Sequence, residues 1–237
     1  EWTDGMLTWF SSRYTLRQVI GDSQTGAVII WDLANDEQVN TCQVAEPNEL
    51  HQLYISPDGA RVVTINLDTS VETWDVITGQ KLLTLPGPAT LDSSLWFSAD
   101  GKWLGIADCT GTVVVRNLAS GEEKLRFSGT SACINAVGFS PGEKLFAVNA
   151  GNRGLKILDF ETGHELLTLP GGFDVEFTSD ETRVISAMFD EQGRQIVRMY
   201  LLKLEDIVAL AKSRVTRSLT VVECQNYLHM EVCPVEP

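Results

Sequence analysis

Short β-forming runs recur along the chain, each closed by a turn that carries glycine, proline or aspartate. Leu50–Ile55 alternates and enters Ser56-Pro57-Asp58-Gly59, where proline sets φ and glycine supplies a permissive backbone. Arg61–Asn66, with Val62, Val63 and Ile65, reads as a mostly apolar inner strand. Val71–Asp75 and Lys81–Leu85 follow it, separated by Thr78-Gly79. The same order predicts strands in Ser94–Ser98, Trp103–Ala107, Thr112–Asn117 and Lys124–Phe127. It continues in Ile134–Phe139, Leu145–Asn149, Leu155–Asp159 and Glu165–Leu169. Upstream, Met6–Phe10, a stretch within Tyr14–Ile20, Gly26–Leu33 and Gln38–Gln43 form an earlier set. Downstream, Phe173–Phe177, Arg183–Met188 and Gln195–Tyr200 form a set with no fourth member. Short strands in turn-linked groups of four predict small antiparallel sheets and an all-β fold.

The sets are copies of one another. The third strand ends in Trp31-Asp32 in the first and Trp74-Asp75 in the second. It then decays to Arg116-Asn117, Leu158-Asp159 and Tyr200-Leu201. Positions 31, 74, 116, 158 and 200 lie 43, 42, 42 and 42 residues apart, a period that marks a repeat architecture. The two Trp-Asp dipeptides, the Ser-Pro-Asp-Gly type turns and the turns Thr78-Gly79, Ser120-Gly121 and Thr162-Gly163 keep register. Together they resemble WD-repeat β-propeller blades over residues 6–202. The resemblance implies five visible four-stranded blades, the last lacking its outer strand, with Trp31, Asp32, Asp68, Trp74, Asp75 and Asp159 as structural repeat positions. Asp68, six residues before Trp74, best matches the family's structural aspartate. The family's Gly-His is missing: Gly87, Gly129 and Gly171 stand in its place without a histidine, so the buried Asp-His-Ser/Thr-Trp network is expected to be absent. In closed propellers of this family the last blade usually takes its outer strand from the N-terminal end of the chain. Met6–Phe10 is already an inner strand, so the expectation is of further blades and a closing strand upstream, seven blades in all. A closed ring of five is the alternative.

From residue 203 to 237 the pattern changes. Leu204, Ile207, Val208, Leu210, Ala211 and Val215 form a helical stripe, with Glu205 and Asp206 early and Lys212 and Arg214 late, which suits the helix dipole. Thr220-Val221-Val222-Glu223 is a capping box that predicts a second helix to about Leu228. This tail resembles a C-terminal extension found after WD repeats in large bacterial signalling proteins. That resemblance implies an upstream NTPase, kinase or transcription-factor module.

Composition narrows the function. The formal net charge of −14 over 237 residues repels phosphate backbones and disfavours nucleic-acid binding. No apolar run suggests a membrane span. The odd number of cysteines (Cys42, Cys109, Cys133, Cys224, Cys233), scattered without a C-x-x-C pair, suits a reducing compartment such as the cytoplasm.

Candidate chemistry is sparse. Gly138-Phe139-Ser140-Pro141-Gly142 matches the nucleophile elbow, but it is also the first turn of a repeat. Pro141 lacks the N–H that an oxyanion hole would use there. His51, His164 and His229 are far apart, with no zinc-type spacing. His229 with Cys224 and Cys233 could form a partial metal site, or the two cysteines a disulfide; the plainer reading packs Cys224 on a helix. Asp22, Asp68, Asp108 and Asp190 precede third strands, yet without a D-x-D-x-D-G loop they read as turn residues rather than calcium ligands. Trp31 and Trp74 read as packing between blades. Asn152 and Arg153 occupy a rim loop and are candidate binding contacts. Lys203, Lys212, Arg214 and Arg217 form a basic cluster on either a solvated helix face or a surface that docks on the acidic blades.

These features point to a non-catalytic protein-interaction or sensor scaffold without cofactor or metal, part of a larger signalling or regulatory protein. Its partner would be another protein or other domains of the same polypeptide. A propeller enzyme with a central-channel site, or a tail helix that only closes the propeller, are the alternatives.

Overall fold

The computed structural model describes residues 6–9, 16–87, 90–91, 93–128, 133–134, 136–150, 154–190 and 192–214. Asn152, Arg153, Gly129, Cys224, His229, Cys233, Arg217 and the expected second helix lie outside them. By contacts the chain divides into two units, Glu1–Met199 and Tyr200–Pro237.

Five antiparallel sheets follow one another in sequence. The first contains β1 (Met6–Trp9), β2 (Arg17–Asp22), β3 (Ala27–Asp32) and β4 (Glu37–Gln43). The second contains β5 (Leu50–Ile55), β6 (Arg61–Asn66), β7 (Val71–Asp75) and β8 (Lys81–Leu85). β9 (Ser93–Phe97), β10 (Trp103–Asp108), β11 (Thr112–Asn117) and β12 (Glu123–Ser128) form the third. The fourth has β13 (Val137–Phe139), β14 (Leu145–Asn149), β15 (Leu155–Asp159) and β16 (Glu165–Leu169). β17 (Asp174–Phe177), β18 (Arg183–Phe189) and β19 (Gln195–Leu201) make a three-stranded fifth sheet among the described residues. In each sheet the strands are hydrogen-bonded in sequence order. β13 is shorter than the apolar run Ile134–Phe139 predicts. Ile134 instead takes a loop hydrogen bond, its N–H reaching the Asp108 carbonyl at 3.3 Å.

The second, third and fourth sheets are covered on both faces by their neighbours, whereas the fifth leaves Phe189, Val197 and Met199 exposed. Val19, Val28 and Ile30 of the first sheet share a core with Leu53, Ile55, Val62 and Trp74 of the second. Val63, Ile65 and Val71 of the second pack with Leu95, Leu104 and Ile106 of the third. Val113 and Val115 of the third meet Phe146, Val148 and Leu158 of the fourth. This explains why the second strands are almost continuously apolar: β6, β10 and β14 are buried at nearly every residue.

Two turn designs repeat, and both were legible. After the first strand, Ser56, Ser98 and Ser140 are buried, and each hydroxyl accepts a backbone N–H from the start of the next strand: Arg61 at 3.0 Å, Trp103 at 3.0 Å, Leu145 at 3.1 Å. The left-handed position of this turn is glycine in two copies (Gly59, Gly101) and glutamate in two others (Glu143, Glu181). After the third strand, the carboxylate of Asp75 accepts the Thr78 N–H at 2.7 Å, and Asp159 accepts that of Thr162 at 2.7 Å. Asp32 accepts from Ala34 at 2.8 Å, and Asn117 replaces the carboxylate with an amide oxygen that accepts from Ala119 at 2.9 Å. Strand pairing shifts by one residue at the same place in four sheets: Ile30/Trp31, Thr73/Trp74, Val115/Arg116 and Ile157/Leu158. A bulge re-aims the side chain next to it, so the third-strand position at 31, 74, 116 and 158 is equivalent in structure as well as in spacing.

In the second unit, α1 spans Leu204–Arg214, with Glu205 and Asp206 in its first turn. No described helix is long and apolar enough to cross a membrane.

Candidate functional site at the seam between the second and third sheets

The equivalent third-strand positions meet different fates. Trp74 is 9% exposed and fills the seam between the first and second sheets. Its indole N–H donates to the Thr64 hydroxyl at 3.3 Å, which preserves one link of the family's network although the histidine is gone. Leu158 is buried in the seam between the third and fourth sheets. Trp31 is half-buried on the first sheet. At the seam between the second and third sheets the position holds Arg116, and there the packing opens into a cleft of about 240 Å³.

One sheet face makes most of the cleft. β11 turns Val113 and Val115 toward the fourth sheet, so Thr112, Val114 and Arg116 face the other way by strand alternation. Register places Val114 between Ile106 of β10 and Arg126 of β12. Pro86 and Gly87, just after β8, form the opposing wall. Gly87 is required there, since a Cβ on it would lie 1.4 Å from the Thr69 carbonyl oxygen.

Arg116 is held but not saturated. Its guanidinium donates to the Gly121 carbonyl at 3.1 Å and to Glu123 at 3.0 Å, and its side chain is 12% exposed. Its Nε is buried and has no hydrogen-bond partner among the described residues. Arg126 forms a two-pronged pair with the same Glu123, at 2.8 and 2.7 Å, and this hydrogen bonding holds the Glu123 carboxyl below the usual carboxylate range. At the other end of the cleft, Asp108 accepts the Thr110 hydroxyl at 2.6 Å and the N–H groups of Thr110 and Thr112 at 2.9 and 3.3 Å. Two guanidiniums, the Asp108 carboxylate, the Thr110 and Thr112 hydroxyls and an apolar floor line it, a set of polar groups suited to recognition.

Among the described candidates, Ser140 and the four aspartates are turn residues. Ser140 is 2% exposed, and its hydroxyl is used by the Lys144 and Leu145 N–H groups, so the nucleophile-elbow match is a repeat turn. Asp22, Asp68, Asp108 and Asp190 all accept backbone N–H groups two residues on, from Gln24, Ser70, Thr110 and Gln192. Asp68 is therefore an exposed turn residue rather than part of a buried network. Sequence reasoning missed a set of latches between sheets. Arg17 donates to the Gly59 carbonyl at 2.7 Å, Arg61 to that of Leu118, and Trp103 to Glu143 at 2.9 Å. All three begin a second strand, a shared position that could have signalled them.

The cysteine expectation needs correction. Cys109, in the turn after β10, forms a disulfide with Cys133 in the segment entering β13. Spacing along the chain hid this pair because the fold brings the two loops to one place. Scattered cysteines therefore do not support a reducing compartment here. Cys42 is free and buried, and burial pushes its thiol pKa up.

The turn carboxylates set an acid dependence. Hydrogen bonds from the Thr178 hydroxyl, then the Thr182 N–H, push Asp180 from 3.8 to about 2. Asp22 is lowered by the Thr25 hydroxyl, Asp75 by the Thr78 N–H, Asp159 by the Thr162 hydroxyl, and Asp190 by the Arg194 N–H. Groups lowered in the folded state bind fewer protons than in the unfolded chain. Their stabilisation is complete above the unfolded value of 3.8 and disappears as pH falls through the folded values. Thermal unfolding followed from pH 5 to pH 2 should show a midpoint that falls mainly below pH 4; a flat midpoint would refute the turn assignment.

Comparison with known proteins agrees with this geometry. No family model matches the sequence. The chain is 25% identical over 135 residues to the meiotic recombination protein rec14 of Schizosaccharomyces pombe, covering 57% of this chain and 42% of that protein. It is 29% identical over 121 residues to protein groucho of Drosophila melanogaster, covering 51% of this chain and 16% of that one. Both are WD-repeat proteins. A chain in a crystal structure of a mitotic checkpoint complex superposes with a TM-score of 0.65 at 17% identity, over 83% of this chain and 62% of that chain. The fold is a WD-repeat β-propeller. The sheets are its blades, and Arg116 stands where the repeat carries tryptophan. The chain spans less than half the length of these two curated relatives, both of them eukaryotic.

Proposed function

We propose that this chain is a non-catalytic protein-interaction scaffold, a module of a larger signalling or regulatory protein, in which the blades fix the position of recognition groups at rims and seams. The partner is a separate protein or another domain of the same polypeptide. The observation that carries this reading is the character of the open seam between the second and third blades, where two guanidiniums, a carboxylate and hydroxyls are presented over an apolar floor. Affinity in such modules comes from a few well-placed side chains on a rigid frame. The WD-repeat relatives support the same class of role. A hydrolase would need Ser140 free, and its hydroxyl is committed to the turn.

Cross-linking of a co-purified partner, mapped by mass spectrometry, tests the proposal. The expected result is cross-links concentrated on blade rims and seams, with no labelling of Ser140 by a fluorophosphonate serine probe. Stoichiometric labelling of Ser140, or a partner that contacts only residues 203–237, would overturn it.

A further inference from the structure

We propose that the Cys109–Cys133 disulfide is a reversible redox clasp, a site of thiol–disulfide exchange that fastens the outer strand of the third blade when oxidised and frees it when reduced. The proposal concerns the blade itself and does not depend on the scaffold reading.

The placement of the bond carries the argument. Cys109 precedes β11 and Cys133 follows β12, 24 residues further on. β11 and β12 form a hairpin whose last pair at the open end is Thr112 with Ser128. The disulfide therefore closes this hairpin at the end away from its turn. β12 is an edge strand, hydrogen-bonded to β11 alone among the described strands. Such a strand frays from its end unless something ties that end down.

The other sheets show that this end is a point of closure. In the first, the Val44 N–H donates to the Gly26 carbonyl at 3.0 Å. In the second, Gly87 packs directly on the Thr69 backbone, and in the fourth Gly171 packs on that of Gly154. In the third sheet a covalent bond holds the same end. The hydrogen bonds beside it are long. The Cys109 N–H reaches the Thr90 hydroxyl at 3.4 Å, and the Ile134 N–H reaches the Asp108 carbonyl at 3.3 Å. Leu67, which holds the place of Cys109 in the second sheet, instead donates to the Glu49 carbonyl at 2.8 Å.

Both bonded cysteines are partly exposed, whereas the free Cys42 is buried. A dithiol reductant can therefore reach the bond. One of its thiolates attacks a cysteine sulfur, the S–S bond breaks, and the other cysteine leaves as a thiolate that takes a proton. The second thiol of the reductant then attacks the mixed disulfide and releases the remaining cysteine. Two electrons pass to the protein, and the reductant departs as a disulfide; a disulfide oxidant runs the same steps backward. The seam between the third and fourth blades is held separately, by the Phe146 core and by the Trp103 to Glu143 hydrogen bond at 2.9 Å. Reduction thus loosens β12 without dismantling the blade. Arg126 of β12 lines the cleft, as do Asp108 and Thr110 on either side of Cys109, so the redox state governs whether the cleft keeps its walls.

The test is hydrogen–deuterium exchange, read by mass spectrometry on the whole chain in three states: oxidised, reduced with dithiothreitol, and reoxidised with glutathione disulfide. Alkylation of each sample is mapped to Cys109 and Cys133. Reduction is expected to expose both thiols without denaturant and to speed exchange in β12 at least about tenfold, with β6 and β14 unchanged. Reoxidation reverses the change. Cys109→Ser should match the reduced chain without reductant and no longer respond to it; Cys133→Ser is the second variant should the first fold poorly. A bond that yields only after denaturation, or β12 exchange that ignores reduction, would overturn the proposal. So would faster exchange in every sheet, which would make the bond a staple for the whole chain.

Discussion

Trp74→Arg is expected to destabilise the chain by about 3–5 kcal/mol, the cost of removing a large buried side chain and placing a charge in its seam. The same residue type is accommodated at position 116, so the argument rests on what lies opposite. Across the bulge, Arg116 is paired with Glu123, whereas Trp74 is paired with Lys81. Lys81 already sits over the indole, 5.6 Å from its centroid, and uses its charge on Glu72 at 2.8 Å. An arginine at 74 would therefore meet the like charge of Lys81, which already engages the Glu72 carboxylate. It would also leave the Thr64 hydroxyl, fully buried, without the indole N–H it now accepts. Urea unfolding followed by tryptophan-independent circular dichroism measures the loss; a change below about 1 kcal/mol would mean that the seam does not depend on this position.

Phe146→Ala is the second large effect, again about 3–5 kcal/mol. Phe146 is completely buried in β14 and is flanked by Phe139 at 4.9 Å and Phe160 at 6.1 Å between ring centroids. Phe160 in turn meets Trp103 edge-on at 5.5 Å, which carries the aromatic cluster across the seam from the fourth blade to the third. Truncation leaves a cavity that neither rigid sheet can close. Phe146→Leu retains most of the volume and should cost less than half as much. Equal losses for the two variants, measured by denaturant unfolding, would show that the site collapses rather than keeping a cavity.

Much of this fold could be read from the chain because it is written locally. The turn after β7 needs an acceptor at Asp75, a hydroxyl at Thr78 and a left-handed residue at Gly79, all within five positions. The same holds for Asp159, Thr162 and Gly163. Such signals survive even where tryptophan has decayed, which is why positions 116 and 158 could be aligned with 31 and 74. The candidate site was harder to see. Arg116 was visible as a worn copy of the tryptophan, but the consequence of the change depends on Glu123, Arg126 and Pro86, which the sheet and seam bring together. Likewise the Arg61 latch ends on the Leu118 carbonyl in another blade, and a backbone acceptor leaves no trace in residue identity. The Cys109–Cys133 pairing was hidden for the same reason, since only the fold places the two loops side by side.

Blade seams in this protein are thus keyed by one repeated position, and one seam has exchanged packing for recognition. Such an exchange has a thermodynamic signature: a site held open for a ligand is a place where filling should stabilise. The most direct measurement is the thermal midpoint of Arg116→Trp beside wild type at neutral pH without ligand. A midpoint equal to or above that of wild type is predicted, because the indole occupies the cleft and Glu123 keeps its pair with Arg126. A midpoint lowered by several degrees would contradict the account, since it would show that Arg116 holds the third blade together rather than leaving its seam open.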